Sequence, residues 1–326
     1  MLPKLVLTFV LLLEDVTRIL IGTVTHFMGH NSDSFLPERR KFVSQVAIGL
    51  AAIPFLSLIY GMTIGKYNYK VIRQTLFFPD LPDAFDGFKI TQISDIHSGS
   101  FDDENKIRYA IDLINEQESD LLLFTGDIVN AKADEMHPWI DTFKGIHQPK
   151  MGKYSVLGNH DYGEYFKWDS DTEKEDNFNA IKDLHRQIDF KLLLNENLKI
   201  KKGNSELAIV GVENWGKPPF KQYGDLQKAL ISSQHVAFKI LLSHDPSHWQ
   251  EEVVKKTDIT LTFSGHTHGM QAGINLGKKQ WSPIKYKFKH WAGLYKLEQL
   301  RSVKRRKLMF RSLFIISEIK WLVNLR

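Results

Sequence analysis

Five times along this chain, an apolar run of strand length ends on a carboxylate, a carboxamide or an imidazole. The runs are FKITQISD (88–95), LLLFTGD (121–127), YSVLGNHD (154–161), FKILLSHD (238–245) and ITLTFSGHTHG (259–269). A further run, LAIVGVENWG (207–216), has the same apolar body. Between them lie stretches with helical spacing. Residues 104–117 place Ile107, Ala110, Ile111 and Ile114 on one side, and 176–187 and 225–232 are also helical in pattern. Strands alternating with helices define an α/β protein. Ligands of such sheets bind just beyond the carboxyl ends of the strands, where these polar residues collect.

Two of the endings have internal order. Asp95 and His97 form a D-x-H pair, and His266 and His268 an H-x-H pair between Gly265 and Gly269. Alternate residues of an extended chain point to the same side, so each pair can face one partner. Glycine lets the backbone turn sharply and lets a ligand approach closely. Any one of these motifs has a bland reading, since a strand-terminal Asp is often a helix N-cap and a lone His a satisfied polar residue. Five together are not explained by turn chemistry.

Composition narrows the chemistry. Among 326 residues there is no cysteine, which excludes disulfides, thiolate nucleophiles and Cys-based zinc sites. Thirteen histidines leave nitrogen and oxygen as the available metal donors. The net charge is +5, but residues 298–326 hold eight Lys or Arg against two Glu. Subtracting that +6 from +5 leaves −1 on residues 1–297, so the body is near neutral and no nucleic-acid partner is expected.

The N-terminal region, 1–77, is hydrophobic. Phe42–Gly65 carries no charge over 24 residues, enough to cross a hydrocarbon core of about 30 Å as a helix. Pro54 in its middle is tolerated in a membrane helix. A second span over 5–29 is interrupted by Glu14, Asp15 and Arg18, of which Asp15 and Arg18 sit one helical turn apart and can pair. A cleavable signal peptide fits poorly, because only Lys4 precedes the first apolar run and no small-residue cleavage site follows. Arg39, Arg40 and Lys41 on one side of the strong span balance Lys66, Lys70 and Arg73 on the other, so positive charge assigns no side. These residues predict a cell-membrane protein with lipid as a partner, its N-terminal region followed by the α/β domain over 78–297.

The ordered set D-x-H, G-D, G-N-H-D, H and G-H-x-H resembles the calcineurin-like metallophosphoesterase family, over residues 88 to about 295. The resemblance implies a four-layer α/β/β/α sandwich, here preceded by N-terminal membrane helices. It implies two divalent metal ions (Mn, Fe, Zn or Mg), with Asp95, His97 and His268 as ligands of one. Asn159, His244 and His266 are then ligands of the second, Asp127 bridges both, and His160 protonates the leaving oxygen. Donors of this hardness suit those metals. Two ions roughly 3.5–4 Å apart can generate a hydroxide nucleophile near neutral pH. The implied activity is hydrolysis of a phosphomonoester, phosphodiester or pyrophosphate bond. The GHTHG block with a hydrophobic N-terminal segment looks most like the membrane-associated branch, which includes UDP-diacylglucosamine and other lipid-linked pyrophosphatases, so a lipid-linked substrate is the class considered. The aromatics of GVENWG, KPPF (217–220) and SHW (247–249) are placed near the site, either as substrate contacts or as packing. No substrate-binding residue is assigned.

Two departures from the family pattern stand out. Relatives often carry a second Asp three residues after the bridging one, where this chain has Asn130, and Asp161 is the available carboxylate to support His160 instead. The tail, 298–326, has no glycine after Gly293 and a basic run, Arg301–Lys307, followed by apolar residues that fall on no single helix face. It reads either as a basic amphipathic segment that binds anionic lipid or, the favoured reading, as an atypical, truncated or frame-shifted end that leaves a sheet edge unpaired. That reading keeps an alternative open: a metal-binding membrane protein with lost or impaired catalysis.

Overall fold

The computed structural model describes residues 2–28, 37–254, 256–268, 274–276, 279–291, 293–298, 306–311 and 321–325. Gly269 of the GHTHG block and residues 301–305 of the basic run lie outside these described residues. The chain divides into two compact units, Met1–Lys66 and Tyr67–Arg326.

In the first unit, helices α1 (Leu2–Phe27) and α2 (Pro37–Thr63) pack along each other. Within α2, Lys41–Thr63 is long and apolar enough to cross a membrane, with a mean hydropathy of 2.1. Its large side chains face outward; Ile48 and Leu56 are 62% and 61% exposed. Pro54 lies inside the helix. On α1, Asp15 and Arg18 form an ion pair at 3.1 Å, which offsets two of the charges on this largely apolar helix.

The second unit is built on two six-stranded sheets. The first runs β1 (Ile72–Leu76), β14 (Trp321–Leu325), β2 (Lys89–Ile93), β3 (Leu121–Phe124), β4 (Lys153–Ser155) and β5 (Lys191–Leu192). The second runs β12 (Gly293–Glu298), β13 (Arg306–Arg311), β9 (Leu261–Ser264), β8 (Lys239–Leu242), β7 (Ser205–Gly211) and β6 (Glu196–Lys202). A separate hairpin pairs β10 (Ile274–Leu276) with β11 (Lys279–Trp281). Central strands β2, β3, β8 and β9 are buried on both faces; β3 (LLLF) and β8 (KILL) are nearly continuous apolar runs, whereas β2 (KITQI) and β9 (LTFS) also bury Thr91, Gln92, Thr262 and Ser264.

Three apolar layers hold the sheets together. Between them, Ile90, Leu121 and Leu123 meet Leu207, Ile209, Ile240, Leu242, Leu261 and Phe263. Outside the first sheet, Leu122 and Phe124 pack on α3 (Glu104–Asn115), α4 (Ile140–Lys144) and α5 (Asp171–Gln187). Outside the second, Ala208, Val210 and Leu241 pack on α6 (Leu226–Leu230) and a π-helical turn, Trp249–Val253. This is the expected α/β/β/α sandwich. Helix α3 buries Ile107, Ala110, Ile111 and Ile114, the face its spacing predicts, and starts where the Asp103 side chain accepts from the N–H groups of Asn105 and Lys106. Among the buried polar residues of the outer layer is His185 of α5, which stacks on Phe124 at 5.5 Å with both ring nitrogens unpaired among the described residues.

The tail corrects the expectation of an unpaired edge. β13 is inserted between β12 and β9, antiparallel to the one and parallel to the other. β14 enters the first sheet between β1 and β2, with Trp321 opposite Gln92 and Val323 opposite Ile90. The fully buried Leu325 donates its N–H to the Phe88 carbonyl at 2.9 Å and joins the inter-sheet core. The apolar residues of KLMF and WLVNL miss a helical stripe because they belong to strands, whose period is two.

Candidate metal centre

The five polar endings lie at the carboxyl ends of β2, β3, β4, β8 and β9. The backbone there is strained in a common way: Asp95, His97, Asp127, His266 and His268 all have positive φ, between 46° and 85°. Non-glycine residues adopt this region sparingly, at a cost of about 1–3 kcal/mol each where they are held strained. Five in one place mark a site whose geometry the surrounding fold imposes.

The motif glycines have a separate reason. A Cβ on Gly158 would sit 2.2 Å from Asp127 Oδ1, and one on Gly265 would sit 1.9 Å from Ser94 Oγ and 2.3 Å from Asp95 Oδ2. Neighbouring strand ends approach so closely that only glycine leaves room for the carboxylates.

Asp95, His97, Asp127 and His268 each offer a donor atom, and the four atoms lie within 4.8 Å of one another. His97 Nε2 is 3.0 Å from His268 Nε2, His268 Nε2 is 3.2 Å from Asp95 Oδ1, and Asp95 Oδ2 is buried with no hydrogen-bond partner. On the other side, Asn159 Oδ1 lies 3.2 Å from His244 Nε2 and 2.7 Å from His266 Nδ1. The Asp127 carboxylate stands between the two sets, its Oδ2 3.1 Å from His244 Nε2 and 3.5 Å from His97 Nε2. Converging imidazole nitrogens and an orphaned carboxylate oxygen fit a divalent cation.

Electrostatics agree with that reading. Burial pushes the Asp127 carboxyl up, yet His244, His160 and His97 outweigh it and hold the group well below the usual carboxylate range. Burial likewise raises Asp95, and His268 and then His244 pull it below. Burial lowers His244, but Asp127 overrides it and pushes the imidazole up to about 10. Burial brings His97 and His266 down to about 4. For His268, Asp95 overrides burial and raises the ring. Carboxylates that hold protons on neighbouring imidazoles will hold a cation in their place.

Surrounding groups orient these donors. His244 Nδ1–H donates to the Thr125 carbonyl at 2.7 Å, which aims Nε2 at Asp127 and Asn159. His266 Nε2 lies 3.5 Å from Asp245 Oδ2, and Asp245 Oδ1 accepts from the Ser247 N–H. The Asn159 amide donates to the Tyr165 hydroxyl at 2.8 Å, so its oxygen faces the histidines. Tyr165 also stacks on His160, ring centroids 4.4 Å apart.

His160 sits beside this centre, 4.7 Å from the His97 ring, with its backbone N–H on Asp127 Oδ1. Its Nδ1–H donates to the Asn130 carbonyl at 2.7 Å. The expectation about its support is corrected here. Asp161 does not touch the ring; buried, it accepts from the N–H groups of Asp127, Ile128 and Gly158 and shapes both loops. Asn130 orients His160 through its backbone carbonyl, while its side-chain oxygen lies 3.1 Å from His97 Nδ1. Of the aromatics singled out, Trp249 is buried behind the second sheet, and Trp215 lies against His248. Phe220 is the one that reaches the centre, edge-on to His266 at 4.9 Å. Sequence reasoning did not assign Asp245 or Tyr165; the first stands inside a quoted motif, whereas Tyr165 carries no local signal.

All seven predicted donors and His160 thus converge at one end of the two sheets. The sequence pattern of the calcineurin-like phosphoesterases matches residues 88–270, more than half the chain, and the chain belongs to that family. That family is one of phosphoesterases. Residues 1–66 match the calcineurin-like phosphoesterase transmembrane domain.

Among individual relatives, the uncharacterized metallophosphoesterase YkuE of Bacillus subtilis is 31% identical over 244 residues, 72% of this chain and 78% of its own. The transmembrane protein with metallophosphoesterase domain of Danio rerio is 24% identical over 219 residues, 65% of this chain and 47% of its own. The chain thus spans about half the length of that relative. The UDP-2,3-diacylglucosamine pyrophosphatase LpxG of Chlamydia trachomatis is 24% identical over 262 residues, 69% of this chain and 77% of its own.

Proposed function

We propose that this protein is a membrane-anchored phosphoesterase with two divalent cations, hydrolysing a phosphomonoester, phosphodiester or pyrophosphate bond of a substrate that can be lipid-linked. The observation that carries the proposal is the position of Asp127, whose carboxylate stands between two sets of imidazole and oxygen donors. Asp95, His97 and His268 would hold one ion, and Asn159, His244 and His266 the other, with Asp127 shared. When bound, the ions supply Lewis-acid charge for the phosphoryl oxygens and a nucleophile from water near neutral pH.

The rest of the chemistry falls to the chain. His160 keeps Nδ1–H on the Asn130 carbonyl, so Nε2 is the nitrogen left to carry a proton to the departing oxygen. Tyr165, stacked on that ring, limits its rotation. Asp161 fixes the Asp127 and Gly158 loops relative to each other and thereby sets the distance between the proton donor and the shared carboxylate.

A lipid-linked substrate is supported by the apolar helix within α2, by the match of residues 1–66, and by the printed activity of the Chlamydia relative. The alternative of lost catalysis rested on the tail, and β13 and β14 remove that ground. Purified full-length protein should contain close to two transition-metal ions per chain and hydrolyse bis-p-nitrophenyl phosphate with added Mn²⁺. Asp127→Ala should lose both ions; one ion per chain, unaffected by that substitution, would refute the shared-ligand assignment.

A further inference from the structure

From Ile259 to Leu297 the chain carries six lysines and neither Asp nor Glu. The near-neutral balance of the body thus conceals one basic stretch. Within it, residues 281–291, WSPIKYKFKHW, are built into the fold rather than hung from it. Buried Ile284 anchors a 3₁₀ turn, Pro283–Tyr286, whose start is capped by the Ser282 hydroxyl accepting from the Ile284 N–H. Phe288 stands edge-on to His266 at 5.4 Å, and the Thr267 hydroxyl donates to the Trp291 carbonyl at 3.1 Å. The segment is therefore fastened at two points to the histidine loop of the metal centre.

Its outer face combines charge with aromatic surface. Lys285, Lys287 and Lys289 are exposed, as are Trp281 at 42% and Tyr286 at 79%. Among the described residues no carboxylate pairs with these lysines; Lys285 lies 5.1 Å from the Tyr286 ring and Lys287 5.4 Å from that of Phe220. Trp and Tyr beside lysine suit the headgroup layer of a bilayer, with rings at the interface and ammonium groups on lipid phosphate. Each lysine near an anionic leaflet strengthens binding about fivefold, so three give about a hundredfold. In a two-fold contact with a second copy of the chain the same lysines would oppose like charge.

A bilayer is also the partner held within reach. Eight residues, 64–71 (72 minus 63, less one), join the apolar helix α2 to β1. Even fully extended they span no more than about 30 Å. A surface tethered on that scale meets the membrane at an effective concentration of about millimolar order, so weak contacts suffice.

We propose that residues 281–289 form a docking surface for an anionic bilayer, a second membrane contact made by the α/β unit itself beside its metal centre. The proposal rests on the membrane-anchored reading above and adds to it a contact outside residues 1–66.

Tryptophan fluorescence tests it. All seven tryptophans lie beyond residue 66, and Trp281 is the exposed one among those whose side chains are described. Quenching of the full-length protein reconstituted in vesicles of 6,7-dibromo-phosphatidylcholine therefore reads this surface and not the anchor. It should be strong where one third of the lipid is phosphatidylglycerol and weak in zwitterionic vesicles of equal bromine content. Lys285→Gln, Lys287→Gln and Lys289→Gln together should weaken docking about a hundredfold and bring quenching to the zwitterionic level. The three Arg substitutions should preserve it, and Trp281→Phe should abolish its dependence on anionic lipid. Equal quenching in both vesicles, no change in the Gln variant, or dependence that survives Trp281→Phe would overturn the proposal. Equal quenching with a detergent-solubilised dimer that the Gln variant alters would assign the surface to a second copy instead. Failure of the anchor shows differently, at flotation: protein that floats only with anionic vesicles refutes the anchor and keeps the docking surface, and protein that floats with neither overturns both.

Discussion

His185 couples the fold to acidity in a way that can be measured. It is fully buried on α5 against Phe124, with neither ring nitrogen hydrogen-bonded, and burial alone brings its pKa down to about 3. In the unfolded chain the same ring titrates near 6.5. For a base with a depressed folded pKa, the unfolded state binds more protons throughout the interval between the two values. Stability is therefore intact above pH 6.5 and declines as pH falls toward 3. Two units below the unfolded pKa, at pH 4.5, the loss from this one ring is about 3 kcal/mol. His185→Leu keeps an apolar side chain of similar size against Phe124 and removes the titration. For a unit of this size, about 3 kcal/mol corresponds to roughly 6–12 °C in melting temperature. Thermal unfolding of wild type and variant, followed by near-UV circular dichroism from pH 7.5 to 4.5, should give curves that diverge on acidification, with the variant the more stable at pH 4.5. Parallel curves would show that the ring is protonated, or solvated, within the fold.

Three further outcomes are expected. His160→Ala should keep its metal, measured by elemental analysis, while hydrolysis falls about 10²–10⁴-fold, less for nitrophenyl than for alkyl leaving groups; equal losses would give His160 another role. Gly265→Ala forces a methyl against Ser94 and Asp95, so it should cost about 1–3 kcal/mol in a thermal melt and lower metal content; a variant with normal metal content and melting would show that the strand ends can part. The full-length protein should sediment with membranes and require detergent for release, because of the exposed apolar surface of α2; recovery in the soluble fraction would contradict the anchor.

What could be read from sequence was whatever repeats locally. The buried face of α3 follows from its spacing, and the seven donor residues follow from motifs that each close an apolar run. Partner choice between distant strands leaves no such trace. Nothing in WLVNL states that it pairs with KITQI, so the tail looked like a stray end until its hydrogen bonds to β1 and β2 were seen. Asp161 illustrates a second limit. A carboxylate one residue from an imidazole suggests an ion pair, but the loop turns it toward three backbone N–H groups instead. The aromatic contacts show a third: Trp215, Phe220 and Trp249 all stand in motifs that follow an apolar run, and only the fold decides that Phe220 meets His266.

The place of β14 has a consequence for how the protein is made. Trp321 pairs with Gln92, so the two strands are separated by 229 residues of synthesis (321 minus 92). At about 5–20 residues per second, β14 leaves the ribosome roughly 10–45 s after β2. By the end of that interval every donor residue up to His268 has emerged, yet β1 and β2 still face each other across a gap of one strand. A nascent chain at this stage carries its reactive end nearly assembled and two open edges able to pair with other chains. Premature release would yield a protein with its metal donors in hand and its first sheet unclosed, a natural target for proteases. Closure of the first sheet thus reports that translation has passed β14.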